Sequence, residues 1–369
     1  MHICSVISTR PEILKMSRVM AALDAVVQHT IIHTNQNYSH ELNGIFFDEM
    51  GLRKPDYVLD THGDTATSMT ADIMLKLEPL LVNLRPDAVV ILGDTNGCMA
   101  TAYVCARLKI KLFHLEAGNR CFDNNVPEEI NRKIVDHLPG VQLCYSERSL
   151  DNLLREGIHP SKIVKVGSPM AEVLNHYKPQ IDASDILSRL SLTPKDYFVV
   201  SCHREENTTP EKFKQFIALL RRLAEFGQRI IVTCHPRTRK RLDQECTTDL
   251  YDVTGHHSTL PKEVELYRPF GFFEFVKLQQ NARCVLSDSG TLFEESGLLH
   301  FPALSLRESH ERPESDEVGG TMLTGFSIPK VLAGIEYLST ANPGRTPDAY
   351  SIPNVSGIVV RTILSHTKF

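Results

Sequence analysis

Apolar residues along the chain cluster in short runs separated by stretches of helical periodicity. Residues 2–8, 30–34, 88–93, 111–115 and 163–166 read as strands, with amphipathic stretches such as 72–84 and 130–137 between them. Strands alternating with helices predict a mostly parallel sheet covered by helices on both faces. The alternation pauses at residues 169–194, where Pro179 and Pro194 interrupt a weak helical pattern. It resumes with strands at 197–201, 229–233, 283–287 and 303–306, and with helices opening near Pro210 and Thr291. Beyond Asn354, the spacing of Val355, Ile358, Val359, Ile363 and Leu364 predicts a short amphipathic helix. The predicted fold is α/β, with two Rossmann-like doubly wound domains facing across a cleft. The first spans 1–168 and the second 195–350, joined by a connection at 169–194, and the helix within 351–369 packs back on the first domain. No repeat at a fixed period and no low-complexity segment interrupts this scheme.

Doubly wound sheets bind ligands at the carboxyl ends of their strands, and the polar clusters fall there. Ser8-Thr9-Arg10, Gly93-Asp94-Thr95-Asn96, His114-Leu115-Glu116-Ala117-Gly118, Ser201-Cys202-His203-Arg204 and Asp288-Ser289-Gly290 each follow or end a predicted strand. The stretch Asp288 to Glu295 reads as a strand ending in a small-residue turn that opens a helix, so backbone N–H groups and the helix dipole face an anion. A plain helix cap fits Ser289, Gly290 and Thr291 equally well, with Glu294 completing a capping box from Thr291. Glu295 and Arg312 tilt the balance. A carboxylate can hold a ribose diol and a guanidinium can pair with a phosphate, which together make a nucleotide diphosphate clamp.

Asp94 and Glu116 stand at the tips of buried strands, with Glu128-Glu129 following Pro127. Taken singly, Asp94 is more expected as a helix cap. Three carboxylates in one mouth should repel one another and, once desolvated, raise at least one pKa toward general acid/base use. Lys15 and His203 are candidate cationic partners, and His203 a candidate proton carrier, although a lone histidine after a strand is often structural.

The chain is 369 residues long, 42% hydrophobic and 23% charged, which fits two domains each with its own core. A net charge of −5 and a pI near 6.3 argue against a nucleic-acid partner. No apolar stretch is long enough to cross a bilayer. The first residues lack the basic start and apolar core of a signal peptide, and the nine cysteines are odd in number with no Cys-x-x-Cys pair. Reduced thiols and a cytoplasmic location are expected. The absence of Gly-x-Gly-x-x-Gly, of Tyr-x-x-x-Lys and of the phosphate-loop signature disfavours dinucleotide redox and kinase or ATPase chemistry. No zinc spacing occurs, and His256-His257 reads as a solvated pair, so no metal or cofactor is expected.

The ordered set of motifs resembles the non-hydrolysing UDP-N-acetylglucosamine 2-epimerase family over nearly the whole chain. The matching motifs are Thr9-Arg10-Pro11-Glu12 with Lys15, His62-Gly63-Asp64-Thr65, Gly93-Asp94-Thr95, Glu116-Ala117-Gly118 with Arg120, and Pro127-Glu128-Glu129 with Asn131-Arg132. His203-Arg204, Asp288-Ser289-Gly290 with Glu294-Glu295, and Glu311-Arg312-Pro313-Glu314 continue the set. The resemblance implies a glycosyltransferase-B type fold, a homodimer, and a UDP-sugar bound in the interdomain cleft. Within the family the chain is most similar to the branch that makes UDP-N-acetyl-L-fucosamine from UDP-2-acetamido-2,6-dideoxy-L-talose. Its hallmarks are Thr34-Asn35-Gln36-Asn37-Tyr38, Glu116 through Asp123, and Arg268-Pro269-Phe270-Gly271-Phe272-Phe273, with Val126 where the glucosamine enzymes carry Trp and Glu205 where they tend to carry arginine.

That branch implies anti elimination of UDP to a 2-acetamidoglycal and re-addition on the other face. Asp94, Glu116 and Glu128 would move the C2 proton, with acid and base undecided, while Arg10, Lys15 and His203 neutralise the departing diphosphate. Ser289, Gly290, Thr291, Glu295 and Arg312 would hold UDP, with Phe275 beside uracil and Arg120 among the substrate contacts. Phe122 and Val126 would line a pocket for a 6-deoxy sugar. Capsule or O-antigen precursor supply is the implied role. Alternatives are a UDP-N-acetylglucosamine 2-epimerase giving UDP-N-acetylmannosamine, a hydrolysing epimerase, a retaining glycosyltransferase, and a non-catalytic nucleotide-sugar sensor.

Overall fold

A computed structural model describes residues 1–35, 44–138, 140–235, 238–239, 241–242, 260–341 and 344–367. Gln36, Asn37, Tyr38, Cys246, His256 and His257 lie outside the described residues. The chain divides into two compact units, Met1–His176 with Asp348–Phe369, and Tyr177–Pro347.

The first unit is built on seven strands: β1 (His2–Ile7), β2 (Gln28–His33), β3 (Tyr57–Val58), β4 (Ala88–Leu92), β5 (Lys111–Ala117), β6 (Val141–Cys144) and β7 (Ile163–Lys165). All pair in parallel, in the order β3-β2-β1-β4-β5-β6-β7. β4 is an unbroken apolar run, Ala-Val-Val-Ile-Leu, and every residue of it is buried, as a strand covered on both faces requires. The winding direction reverses between β1 and β4, so the loops after these strands diverge and leave a crevice at their carboxyl ends. The helix Arg10–Asp24 leaves β1 through a capping box made by Thr9 and Glu12. The helix Val355–His366 packs against it.

The second unit repeats the plan with β8 (Tyr197–Ser201), β9 (Arg229–Thr233), β10 (Val264–Tyr267), β11 (Cys284–Ser287), β12 (Ala303–Ser305) and β13 (Met322–Leu323). The order β10-β9-β8-β11-β12-β13 is again parallel, with its reversal between β8 and β11. Phe213, Phe216 and Leu220 of the helix Pro210–Ala224 fill one face of this sheet against Val200 and Leu286.

Residues 169–194, expected as a connection, are divided between the units instead. The helix Met170–His176 buries Val173 and Leu174 in the first, while Ile181 and Ile186 are buried in the second. The helix expected at residues 72–84 spans Ala66–Leu84, its start set by the Thr65 hydroxyl accepting the Ser68 N–H at 3.1 Å. Two strands without a clean apolar pattern, one of them at a sheet edge, were not anticipated. β6 carries buried Gln142, whose amide donates to the Asp136 carbonyl, and β10 carries buried Glu265, which Arg229 grips through Nε and Nη2 at 2.6 and 2.8 Å.

Candidate active site

In the first unit, the loops after β1, β4 and β5 converge by register. Leu92 of β4 pairs with Leu115 of β5, so Asp94 and Glu116 follow at neighbouring strand ends. Glu116 has φ +69°, a left-handed conformation rare for a residue with a side chain, at a register shift between Leu115 and Ala117. A bulge of this kind re-aims a side chain that would otherwise point along the sheet normal. Its carboxylate meets Lys15 Nζ at 2.8 Å, with the two side chains only 10% and 3% exposed. The ammonium also lies 5.6 Å from the centroid of the buried Tyr145 ring.

Asp94 receives Arg132 Nε at 2.7 Å, and Asn131 donates to its carbonyl at 2.9 Å. Both come from the helix Pro127–His137, which also carries partly buried Glu128 in its first turn. Arg132 reaches on to fully buried Glu129 at 2.9 Å, and Glu129 accepts the Cys121 and Phe122 N–H groups at 3.1 Å each. Burial raises the Glu129 carboxyl, but these bonds and the Arg132 charge outweigh it and hold it below its ordinary value. Of the three expected carboxylates, Asp94 and Glu116 each face a cation.

A carboxyl with a raised pKa in these loops is Glu12, which stands in the Thr9-Arg10-Pro11-Glu12 motif but was given no role of its own. Glu12 is 2% exposed and accepts the Thr95 hydroxyl at 2.7 Å and the Thr9 N–H at 2.9 Å, with further bonds from the Ser8 N–H and Cys98 thiol. Burial pushes it up to about 7, while those bonds pull the other way. It ties the loop after β1, where Arg10 sits 4.4 Å from the Phe46 ring centroid, to the loop after β4. The loops are close enough that a Cβ on Gly97 would stand 2.7 Å from Ser8 Oγ.

Arg120, expected among the substrate contacts, is engaged within the protein. Its guanidinium is wholly buried and spent on Glu156 at 2.8 and 2.5 Å, Asp136 at 2.7 Å and the Asn119 carbonyl at 2.8 Å. It is a strut between two helices. Val126 is buried at the entry to the Pro127–His137 helix, whereas Phe122, at φ +54°, is 74% exposed.

In the second unit, the site forms where β8 and β11 diverge. Asp288 is fully buried and accepts the His203 and Arg204 N–H groups at 2.9 Å each and Asn207 Nδ2 at 3.1 Å, with His203 Nδ1 also at 3.1 Å. Burial raises its carboxyl, but the His203 charge and these bonds win, leaving it far below the ordinary range. The capping box expected from Thr291 and Glu294 does not form. Thr291 makes no side-chain cap and meets Ser289 Oγ at 3.0 Å, while Glu294 turns to Arg312 Nη2 at 3.3 Å, both side chains essentially buried.

Gly290 lies against charge on three sides. A Cβ there would stand 3.0 Å from Glu311 Oε1, 3.6 Å from Arg204 Nη2 and 4.0 Å from Arg307 Nη1. Arg307 itself pairs with Glu311 at 2.8 Å, both side chains at most 4% exposed. Glu295 is fixed by Gln279 Nε2 at 2.8 Å, and Phe275, one turn earlier on the same helix, is partly buried against the core. A capless helix start flanked by Arg204, Arg307 and Arg312 is suited to an anion. Arg204 was visible only as the neighbour of His203 in its motif, and Arg307 was given no role.

Among the described residues, no group of three His, Cys, Asp or Glu side chains is set to hold a metal, and no helix is long and apolar enough to cross a membrane.

The chain matches the UDP-N-acetylglucosamine 2-epimerase family over residues 21–364. It is 36% identical over 344 residues to the UDP-N-acetylglucosamine 2-epimerase of Methanocaldococcus jannaschii, covering 92% of each chain. The UDP-2,3-diacetamido-2,3-dideoxy-D-glucuronate 2-epimerase of Pseudomonas aeruginosa is 30% identical over 331 residues, 88% of each chain. The crystal structure of the M. jannaschii enzyme in complex with UDP-GlcNAc and UDP superposes with a TM-score of 0.91 at 33% identity, covering 99% of this chain and 100% of that one. The glycosyltransferase SnogD from Streptomyces nogalater shares the fold alone, at a TM-score of 0.54 and 12% identity over 99% of each chain. Two parallel α/β units, carboxylate–cation pairs at the strand ends of one and an arginine-flanked turn in the other therefore belong to a member of the UDP-N-acetylglucosamine 2-epimerase family, an isomerase.

Proposed function

We propose that the protein epimerises UDP-2-acetamido-2,6-dideoxy-L-talose at C2 to give UDP-N-acetyl-L-fucosamine. The observation that carries C2 chemistry is the pair of buried or half-buried ion pairs, Glu116 with Lys15 and Asp94 with Arg132, at adjacent strand ends. The C2 proton of a 2-acetamido sugar has no adjacent carbonyl carbon to stabilise a carbanion, so direct deprotonation is a poor route. One carboxylate instead removes the proton as the C1–O bond breaks, its electrons leaving with UDP, and a C1=C2 glycal forms. Re-addition of UDP at C1 with protonation of C2 from the opposite face gives the epimer. Lys15 and Arg132 hold the two carboxylates in place, and Glu128 stands on the same helix as Arg132 as a second proton-transfer group.

In the second unit, the turn at Ser289 and Gly290 with Arg312 suits the diphosphate, Glu295 the ribose diol, and Phe275 the uracil. His203, beside Asp288, and Arg10 supply positive charge to the leaving group. The UDP-N-acetylglucosamine 2-epimerase and the UDP-2,3-diacetamido-2,3-dideoxy-D-glucuronate 2-epimerase both act on UDP-linked 2-acetamido sugars that differ elsewhere on the ring, which supports chemistry at C2 of a UDP-sugar. The 6-deoxy assignment is supported by the motif resemblance over Glu116 to Asp123, within which Phe122 offers an exposed apolar ring. A homodimer in the cytoplasm, supplying capsule or O-antigen precursors, completes the proposal.

The test is incubation with the L-talo and D-gluco UDP-sugars in heavy water, followed by NMR at C2. Deuterium at C2 of recovered UDP-sugar, faster from the L-talo substrate, is expected. Preference for the D-gluco sugar overturns the 6-deoxy assignment, release of free sugar shows a hydrolysing enzyme, and no exchange with either sugar overturns the C2 reading.

A further inference from the structure

His114, in the middle of β5 and 2% exposed, takes no part in the chemistry above. Its Nε2 lies 2.8 Å from the Gly93 carbonyl oxygen, and its Nδ1 lies 2.9 Å from Asp136 Oδ1. Gln142 turns its Oε1 to the same Nδ1 at 3.3 Å, because its amide nitrogen already donates to the Asp136 carbonyl. Every hydrogen-bond partner of the ring is an acceptor: Gly93 just after β4, Asp136 from the Pro127–His137 helix, and Gln142 from β6. A neutral imidazole has one N–H and would set a lone pair against one of these oxygens. The imidazolium alone satisfies both sides, and Asp136 supplies its counter-charge. Burial opposes that charge, but the Asp136 bond and charge outweigh it and raise the ring's proton affinity.

What the bridge touches gives it a role. Gly93, at φ +86°, turns the chain from β4 into Asp94. The second oxygen of Asp136 takes the Gly118 N–H at 3.0 Å, two residues beyond the Glu116 bulge, and Arg120 Nη1 at 2.7 Å. One buried histidine and one buried carboxylate thus tie both strand ends that carry the ion pairs.

We propose that His114 is a positioning residue: as an imidazolium bridging Gly93 and Asp136, it fixes the Asp94 loop against the Glu116 bulge for proton transfer at C2. This rests on the C2 epimerase reading and names a further residue that the reaction needs.

The test begins with the wild-type protein labelled with 15N-histidine. At pH 7, NMR should show both His114 ring nitrogens protonated. As pH is raised, the turnover number for deuterium exchange at C2 should fall with the same midpoint as the His114 titration, since loss of a ring proton breaks one side of the bridge. His114→Gln, which cannot span Gly93 and Asp136 together, should lose at least tenfold in kcat while KM and the Kd for UDP stay within twofold. A neutral ring at pH 7, exchange that is constant through the ring's titration, or a folded His114→Gln variant with kcat within twofold of wild type would each overturn the proposal. If the variant does not fold, the two wild-type measurements decide. Absence of C2 exchange at every pH overturns the epimerase reading and with it this role, whereas a neutral ring overturns the role alone.

Discussion

The Glu12 carboxyl should give the protein a pH-dependent stability that one substitution removes. It is fully buried, and its pKa rises from an ordinary value of 4.5 to about 7. Below pH 4.5 the group is protonated in both folded and unfolded chains and costs nothing. Between those values the unfolded chain ionises while the folded one stays protonated, so stability falls as pH rises and the loss is complete above about 7. At roughly 1.4 kcal/mol per pH unit, the gap is worth about 3 kcal/mol. Glu12→Gln keeps one oxygen for the Thr9 and Ser8 N–H groups and offers an amide to Thr95, but it cannot ionise. Urea denaturation from pH 4.5 to 8 should therefore show wild-type stability falling relative to the variant by about 3 kcal/mol. Since lowered carboxyls such as Asp288 and Asp136 titrate in both proteins, the difference isolates Glu12. Parallel curves across this range would refute the burial argument and mean that the hydrogen bonds fully compensate the desolvation.

The ion-paired carboxylates should separate chemistry from binding. Asp94→Asn and Glu116→Gln should each lower the C2 exchange rate by about 10²–10⁴-fold while the Kd for UDP, read by calorimetry, stays within twofold; near wild-type turnover in either removes that residue from the mechanism. Arg312→Ala strips the partner from buried Glu294 and should raise the Kd for UDP at least tenfold, with Arg312→Lys falling between because a point charge cannot reproduce the planar fork. Arg120→Ala should act on stability instead, costing about 3–5 kcal/mol in a urea titration by leaving buried Asp136 short of a cation and partly exposed Glu156 without its Arg120 bonds, with the Kd for UDP unmoved.

What the sequence made legible was whatever one residue's own environment dictates. β4 and β8 could be read because strands buried on both faces must be apolar throughout. Asp94, Glu116 and Asp288 could be located because a charge following such a run has to sit at the strand's exit. Partners were not legible, since register and helix placement choose them over long chain separations. Lys15 lies 101 residues from Glu116 and Arg132 lies 38 from Asp94. The same limit explains the strands that went unseen: Gln142 and Glu265 look like breaks in the pattern until His114 and Asp136, or Arg229, are placed beside them.

It also explains why two arginines in neighbouring motifs have different fates. Arg120 meets Glu156, Asp136 and a carbonyl with no exposed side-chain surface, so its donors are consumed and it can only brace the fold. Arg132 binds Asp94, a carboxylate a quarter exposed, and thereby acts on a group that a ligand can reach. In sequence, both are an arginine a few residues past a carboxylate motif. A charged residue's role in this fold therefore follows from the exposure of its partner more than from its own identity. By that criterion the proposed site of the first unit is traced by starting from partly exposed Asp94 and Glu116 and working inward, with Lys15 and Arg132 as the first layer and Glu129, Asp136 and His114 as the buried frame.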